Sequence, residues 1–305
     1  VAAWSTTIEL VGAGGEPADL ARTLLSHGVA DLPPNAVSPD GLRLSTVLRA
    51  GERAWPVELV AEDPRHARVE VVGAGTVGPS PAARPLLLGQ VRHMLALDED
   101  LSAFYRVAAE DPALAWVVSG AGRMLRSPTV FEDLVKTICT TNCAWSATVR
   151  MVTAIVGELG LPAEGAPERR AFPTPAVLAD AGDPFFKEVA RAGYRGPYLR
   201  AIADDVAGGR VDLEALRDPD LADDEVAERL LAIAGVGPYA VAHMMMLLGR
   251  YRRLILDSWT RPTFRRIRSR PRVTDKGIER AFRRYRDYAG LAFWLTLTED
   301  WVPGE

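Results

Sequence analysis

Apolar residues recur along the chain with two different periods, and the change from one to the other falls near residue 86. Before it, short alternating or β-branched stretches lie between turn signals at Gly12 to Pro17, Pro33-Pro34, Pro39-Asp40-Gly41 and Gly73 to Pro81. Trp55 to Asp63 and His66 to Gly73, joined at Asp63-Pro64-Arg65, read as a hairpin, and Gly41 to Arg49 supplies another strand. The pattern predicts an antiparallel sheet domain over residues 1–85. From Leu86 the spacing becomes helical, with Leu88, Val91, Arg92 and Leu95 opening a series of amphipathic segments that runs to Trp301. Residues 86–305 are therefore expected to be all-α, and the whole chain α+β. Phe131 to Thr141 and Ala144 to Leu159 place apolar residues three and four apart, and Gly160-Leu161-Pro162 ends the second of them. Pro162 to Pro175, rich in Pro, Ala, Glu and Arg, reads as a connecting loop. Shorter helices are expected around 185–191, 197–207, 223–233, 238–248, 259–268, 275–288 and 291–299.

Composition adds a distinction that the net charge conceals. The 305 residues are 48% hydrophobic and 25% charged, which excludes wholesale disorder and fibrous repeats. A formal charge of −4 argues against a polyanionic partner. Yet residues 250–290 hold 14 Lys+Arg against 4 Asp+Glu, whereas residues 1–249 carry −11 and the last fifteen −3. The basic side chains are almost all arginine, the only lysines being Lys136, Lys187 and Lys276. Two cysteines, Cys139 and Cys143, are too few for a disulfide framework or a four-cysteine cluster, and the four histidines are scattered. No metal and no cofactor is expected. No apolar run reaches the length of a membrane span and no leader pattern is present, so a cytoplasmic chain without a membrane partner is the expectation.

The segment richest in chemistry is Leu230 to Arg261. It contains an amphipathic helix, a Gly235-Val236-Gly237 turn, a second helix opened by Pro238, and the apolar Leu254-Ile255-Leu256 leading to Asp257. Glycines on either side of one apolar residue let a ligand approach the backbone, and Pro suits a first helical turn. Such a turn at a helix N-terminus can bind a phosphate oxygen, although an ordinary helical hairpin has the same outline. Asp257 before Ser258 and Trp259 can equally be a helix N-cap.

The hairpin followed by Asp257, eighteen residues after Tyr239, resembles the helix-hairpin-helix DNA glycosylase superfamily. The likeness covers most of the helical part and, more loosely, the N-terminal sheet, as in AlkA-type and eukaryotic-type 8-oxoguanine glycosylases. Gly120 to Asn142 and Gly193 to Leu199 resemble the 8-oxoguanine branch in particular. The resemblance implies a monomeric base-excision-repair enzyme acting on double-stranded DNA that contains a damaged base. Asp257 would be its catalytic carboxylate, stabilising oxocarbenium character on the sugar and positioning water. Gly235, Val236 and Gly237 would grip a phosphate. Bifunctional members carry a lysine two residues beyond the last hairpin glycine; that position is Tyr239, and no lysine lies between Lys187 and Lys276. A monofunctional, hydrolytic glycosylase is implied, with Lys136 as a displaced nucleophile the alternative.

The flipped base needs aromatic or apolar walls. Tyr239, Trp145 and Trp259 are the candidates, with Trp116 and Trp294 behind them; each could instead be a core residue. An electron-rich pocket suits a cationic alkylated purine of the 3-methyladenine type. The 8-oxoguanine branch uses an Asn and an Arg to contact the base left behind and a Tyr as a wedge, which places Asn142, Arg195 and Tyr194 at the DNA. It also uses a further arginine where this chain has Ala147, so oxidised-purine excision ranks second, and a non-catalytic damaged-DNA-binding protein is the rival of another class. Arg261 and its neighbours Arg250, Arg252, Arg253, Arg265, Arg266, Arg268, Arg270 and Arg272 are expected to supply backbone affinity. His243 with Met244 to Met246 reads as core.

Overall fold

The computed structural model describes residues 2–73, 78–269 and 272–302; Arg270 and part of the turn expected between Gly73 and Pro81 lie outside them. Five strands, β1 (Trp4–Glu9), β2 (Ala36–Val37), β3 (Arg43–Ala50), β4 (Arg53–Asp63) and β5 (His66–Val71), form one antiparallel sheet in the order β1-β5-β4-β3-β2. Register places Leu44 opposite Leu59 and Leu59 opposite Val69, so one face is a continuous apolar row. A short helix, α1 (Leu20–Leu24), and α2 (Ala83–Met94) close over that face, with Leu24, Leu87, Val91 and Met94 sharing the strands' core.

Strand β4 departs from the half-buried pattern, being buried from Ala54 to Leu59 on both faces. The cause is a second hairpin, β6 (Pro162–Ala163) with β7 (Ala166–Arg170), in the segment that the sequence assigns to a loop. Ala163 and Ala171 pack on Val47 and Ala54, Glu164 N donates to Ala54 O at 2.8 Å, and Arg169 reaches Glu58 Oε1 at 2.9 Å. Two short strands of low β-propensity pair there, against the sequence expectation, because the sheet offers them a surface.

The remaining elements are helical: α3 (Ser102–Ala109), α4 (Val130–Thr140), α5 (Trp145–Leu159), α6 (Pro175–Asp180), the single turn α7 (Gly182–Pro184), α8 (Arg195–Ala207), α9 (Asp223–Leu231), α10 (Pro238–Leu247), α11 (Thr260–Ile267), α12 (Asp275–Phe282) and α13 (Ala289–Thr298). Three of them, α4, α10 and α13, are buried along nearly their whole length and form the centre of the helical lobe. A helix apolar on all sides can only sit inside others, and α13 does so. The two lobes are stitched together at residues 25–28. Ser26 Oγ accepts from Leu125 N at 2.9 Å, His27 Nε2 donates to Leu125 O at 2.7 Å, and Trp294 Nε1 of α13 donates to Ser26 O at 2.8 Å. No helix among the described residues is long and apolar enough to cross a membrane.

Candidate active site

The turn between α9 and α10 treats its two glycines differently. Gly235 has φ +87°, and a β-carbon there would stand 2.5 Å from the Tyr198 ring of α8. Gly237 is extended, with open space where a side chain would be. Val236 is buried between them and anchors the turn. Neither Gly235 N nor Gly237 N donates to the backbone of the described residues, and Pro238 at the first turn of α10 has no N–H to give. The outcome is a bend at a helix N-terminus in which Val236 N donates to Ile233 O at 3.1 Å and the two glycine amides have no backbone acceptor among the described residues.

Asp257 precedes α11 and is a cap in the full sense. Its Oδ1 accepts from Trp259 N at 2.8 Å and Thr260 N at 2.7 Å, while Thr260 Oγ1 accepts from Asp257 N at 2.9 Å. This reciprocal box fixes the carboxylate plane. Oδ2 has no hydrogen-bond partner among the described residues. The side chain is half-buried and faces α10 closely enough that its charge helps raise the phenol of Tyr239, after the larger effect of burial. The Tyr239 hydroxyl lies 3.4 Å from Thr140 Oγ1 at the end of α4. An open cleft of about 960 Å³ runs beside these groups, lined by Tyr239, Leu256, Arg252, Arg261, Arg283 and Arg286 among others.

Two sets of ring contacts, one at Trp259 and one at Tyr239, are joined through the Ser26 backbone in a way that the sequence does not disclose. Trp259 packs on Trp294 at 5.7 Å and Trp301 at 5.4 Å between centroids and is 38% exposed. Trp294 holds Ser26, the neighbour of His27; His27 meets His243 edge to face at 5.4 Å; His243 stacks on Tyr239 at 6.3 Å. Of the three residues expected in the base pocket, Trp259 and Tyr239 thus belong to these two sets. Trp145 stands at the other side of the same interlobe loop, 49% exposed, over Gly28. Trp116 lies beneath the Arg22 guanidinium and shares a small cavity with Ser26, Trp294 and Trp301. His27 carries no helical or strand periodicity that would mark it, and only the lobe contact reveals it.

Asn142 comes together with Tyr194, 52 residues further along the chain, and with its neighbour Arg195. Asn142 has the left-handed φ of +47° and donates from Nδ2 to Tyr194 Oη at 3.4 Å. Tyr194 is 52% exposed. Arg195 is buried below it, its guanidinium 4.5 Å from the Tyr194 ring centre and bonded to the Thr141 carbonyl that ends α4. Tyr194 and Asn142 are therefore presented to solvent, and Arg195 braces them from within.

The basic segment is partly consumed internally. Arg250 bonds Asp223, Leu221 O and Asp218 O; Arg253 pairs with Asp224; Arg261 forms a bidentate pair with Asp275 at 2.8 and 2.9 Å. Among the described residues no ion pair engages Arg252, Arg265, Arg266, Arg268 or Arg272. Lys136 is buried in α4 and paired with Glu132 at 2.7 Å, Lys187 is on the surface against Asp183, and Lys276 is exposed on α12. Among the described residues no cluster of three or more His, Cys, Asp or Glu is arranged to hold a metal.

Neither a protein-family model nor a curated protein sequence matches the chain. Solved structures do match in fold. A 3-methyladenine DNA glycosylase from Archaeoglobus fulgidus superimposes with a TM-score of 0.73 at 20% identity, over 96% of this chain and 98% of that one. The apo 8-oxoguanine glycosylase/lyase of Clostridium acetobutylicum gives 0.72 at 21% identity over 96% and 95%. The same enzyme bound to double-stranded DNA with cytosine opposite 8-oxoguanine gives 0.71 at 21% over 92% and 91%. The chain has the α+β helix-hairpin-helix fold of these DNA glycosylases, its sheet lobe included.

Proposed function

We propose that the protein is a DNA glycosylase that extrudes a damaged purine from duplex DNA and hydrolyses its N-glycosidic bond. The observation that carries this reading is the Asp257 carboxylate, with Oδ1 locked by two amides and Oδ2 unpartnered, set opposite Tyr239 on the helix that follows the Gly235-Val236-Gly237 turn. A fixed carboxylate can stabilise positive charge on the sugar as the bond to the base breaks and can accept a proton from attacking water. It serves without reorganising, because the cap already holds it. The glycine amides of the turn would bind a phosphate and set the register of the strand.

Monofunctional hydrolysis follows from the amines. A Schiff base needs a reachable, unprotonated lysine, whereas Tyr239 occupies the hairpin helix and Lys136 is enclosed with Glu132. Alkylated purines are the substrates that the aromatic rings suit best, since ring faces attract a cationic base. Oxidised purines are the second reading, supported by the exposed Asn142 and Tyr194 beside Thr141. Base release from duplexes carrying 7-methylguanine, hypoxanthine, 8-oxoguanine or uracil, each opposite every normal base, separates the two. Release by the wild type that is lost in Asp257→Asn with duplex binding retained is the expected result; binding without release from any duplex would leave a damage-binding protein instead. Trapping of a covalent DNA adduct with borohydride would overturn the monofunctional mode.

A further inference from the structure

The rings packed behind Tyr239 contain two polar groups that nothing among the described residues uses. His27 Nε2 lies 2.7 Å from the Leu125 carbonyl, which can only accept, so Nε2 carries the proton and Nδ1 of the neutral ring is a bare acceptor. That Nδ1 is enclosed and has no partner. Nε2 of His243, one turn along α10 from Tyr239 and stacked on it, is enclosed and unpartnered as well. Both side chains are more than nine-tenths buried and meet at 5.4 Å. Natural interiors rarely leave such nitrogens unsatisfied, and here two occur side by side at the junction of the lobes.

We infer that His27 and His243 read the hydrogen-bonding edge of the extruded base and select bases that present an N–H donor to them. The inference rests on the glycosylase reading for the kind of ligand and adds which residues sort it. Position supports it: His243 stacks on Tyr239, which lines the open cleft and feels the charge of Asp257, and His27 meets His243 edge to face. Chemistry supports it too. With Nε2 committed to Leu125, His27 offers one lone pair of fixed direction on Nδ1, the unpartnered His243 Nε2 lies beside it, and neutral rings do not repel a cationic purine. Burial holds both rings neutral, His27 at about 4 and His243 at about 3. The charged group acting on His27 from α4 is Lys136, paired with Glu132 at 2.7 Å, and its charge adds to the effect of burial.

The test is equilibrium binding by the full-length Asp257→Asn protein, which cannot turn over, to duplexes that differ only at one base. 7-Methylguanine and hypoxanthine carry edge N–H donors, 1,N6-ethenoadenine has its outer edge closed by the extra ring, and a tetrahydrofuran residue has no base at all. The expected result is a preference for the donor-bearing bases over ethenoadenine that falls about tenfold in His27→Phe and in His243→Phe. Affinity for the tetrahydrofuran duplex should stay within about twofold, and His243→Gln, which keeps a polar head, should recover part of the preference. An unchanged preference in both Phe variants overturns the inference and leaves the nitrogens to an enclosed water. So does a parent protein that does not distinguish the bases. Should the wild type release no base while the preference is present and sensitive to the histidines, the enzymatic reading fails and the inference stands.

Discussion

Gly235 and Gly237 flank one valine, yet the turn requires them for different reasons. At Gly235 the positive φ and the Tyr198 ring both exclude a side chain, so Gly235→Ala should cost about 1–3 kcal/mol and lower the melting temperature. Gly237→Ala meets open space in extended backbone and should change stability by less than about 0.5 kcal/mol. Its methyl would nevertheless stand where a phosphate approaches the amides, and duplex affinity should fall. Wild-type affinity in a stable Gly237→Ala protein would remove the turn from the DNA interface. Asp257 divides in the same manner. Asn keeps an oxygen to accept from Trp259 N and Thr260 N, whereas Ala removes the cap at a cost of about 1 kcal/mol. Thermal melts should rank the wild type and Asp257→Asn together above Asp257→Ala, while base-release assays should rank both variants equally low.

At the scale of elements, the end of α4 shows how a surface feature is held from below. Arg195 donates to the Thr141 carbonyl and stacks under Tyr194, so Arg195→Ala should leave that carbonyl with only the 3.4 Å bond from the Tyr194 hydroxyl and cost about 1–3 kcal/mol in a denaturant melt. Tyr194→Ala should leave that stability nearly unchanged and weaken binding to duplexes with an extruded or missing base; the reverse ranking would make Tyr194 structural. The sequence made these elements legible unevenly. Helices α4, α5, α9 and α10 follow from apolar spacing, and Asn142 is a residue type that tolerates the left-handed turn it occupies. The hairpin of Pro162 to Arg170 was not legible, because its strands are short and Pro- and Glu-rich and form only against Ala54 and Glu58 of β4. His27 was hidden for the same reason: its role comes from Leu125 and His243, residues far along the chain that no local pattern connects to it. His243 was read as core, and it is buried, but beside an unsatisfied neighbour.

Over the whole molecule, charge is arranged rather than abundant. The net −4 hides a +10 segment, and within that segment Arg250 and Arg253 are bound to Asp223 and Asp224 at the start of α9, while Arg261 ties α11 to Asp275 of α12. What remains for the proposed DNA contact is smaller than the count suggests. Arg252 lines the cleft without an ion partner among the described residues, and Arg252→Ala should lower the slope of log affinity against log salt by about one if it touches a phosphate. Titration of the interior gives a second global property. Burial depresses His27 to about 4, His93 to about 3 and His243 to about 3, against roughly 6.5 in an unfolded chain. The unfolded state therefore binds more protons between these limits, and the stability is present above pH 6.5 and drains as pH falls toward 4, by up to about 1.4 kcal/mol per histidine per pH unit. Asp133, raised by burial to about 6, works in the other direction: the folded state takes up its proton first, which offsets roughly one histidine below pH 6. The exposed carboxylates whose values are lowered, such as Asp63 and Asp275, contribute only below their ordinary range near 4. Melting temperature should thus hold above pH 7 and drop steeply between pH 6.5 and 4.5. In His243→Phe the drop should be shallower, since one of the three buried rings no longer titrates; a wild-type slope in that variant would mean that His243 is protonated inside the folded protein.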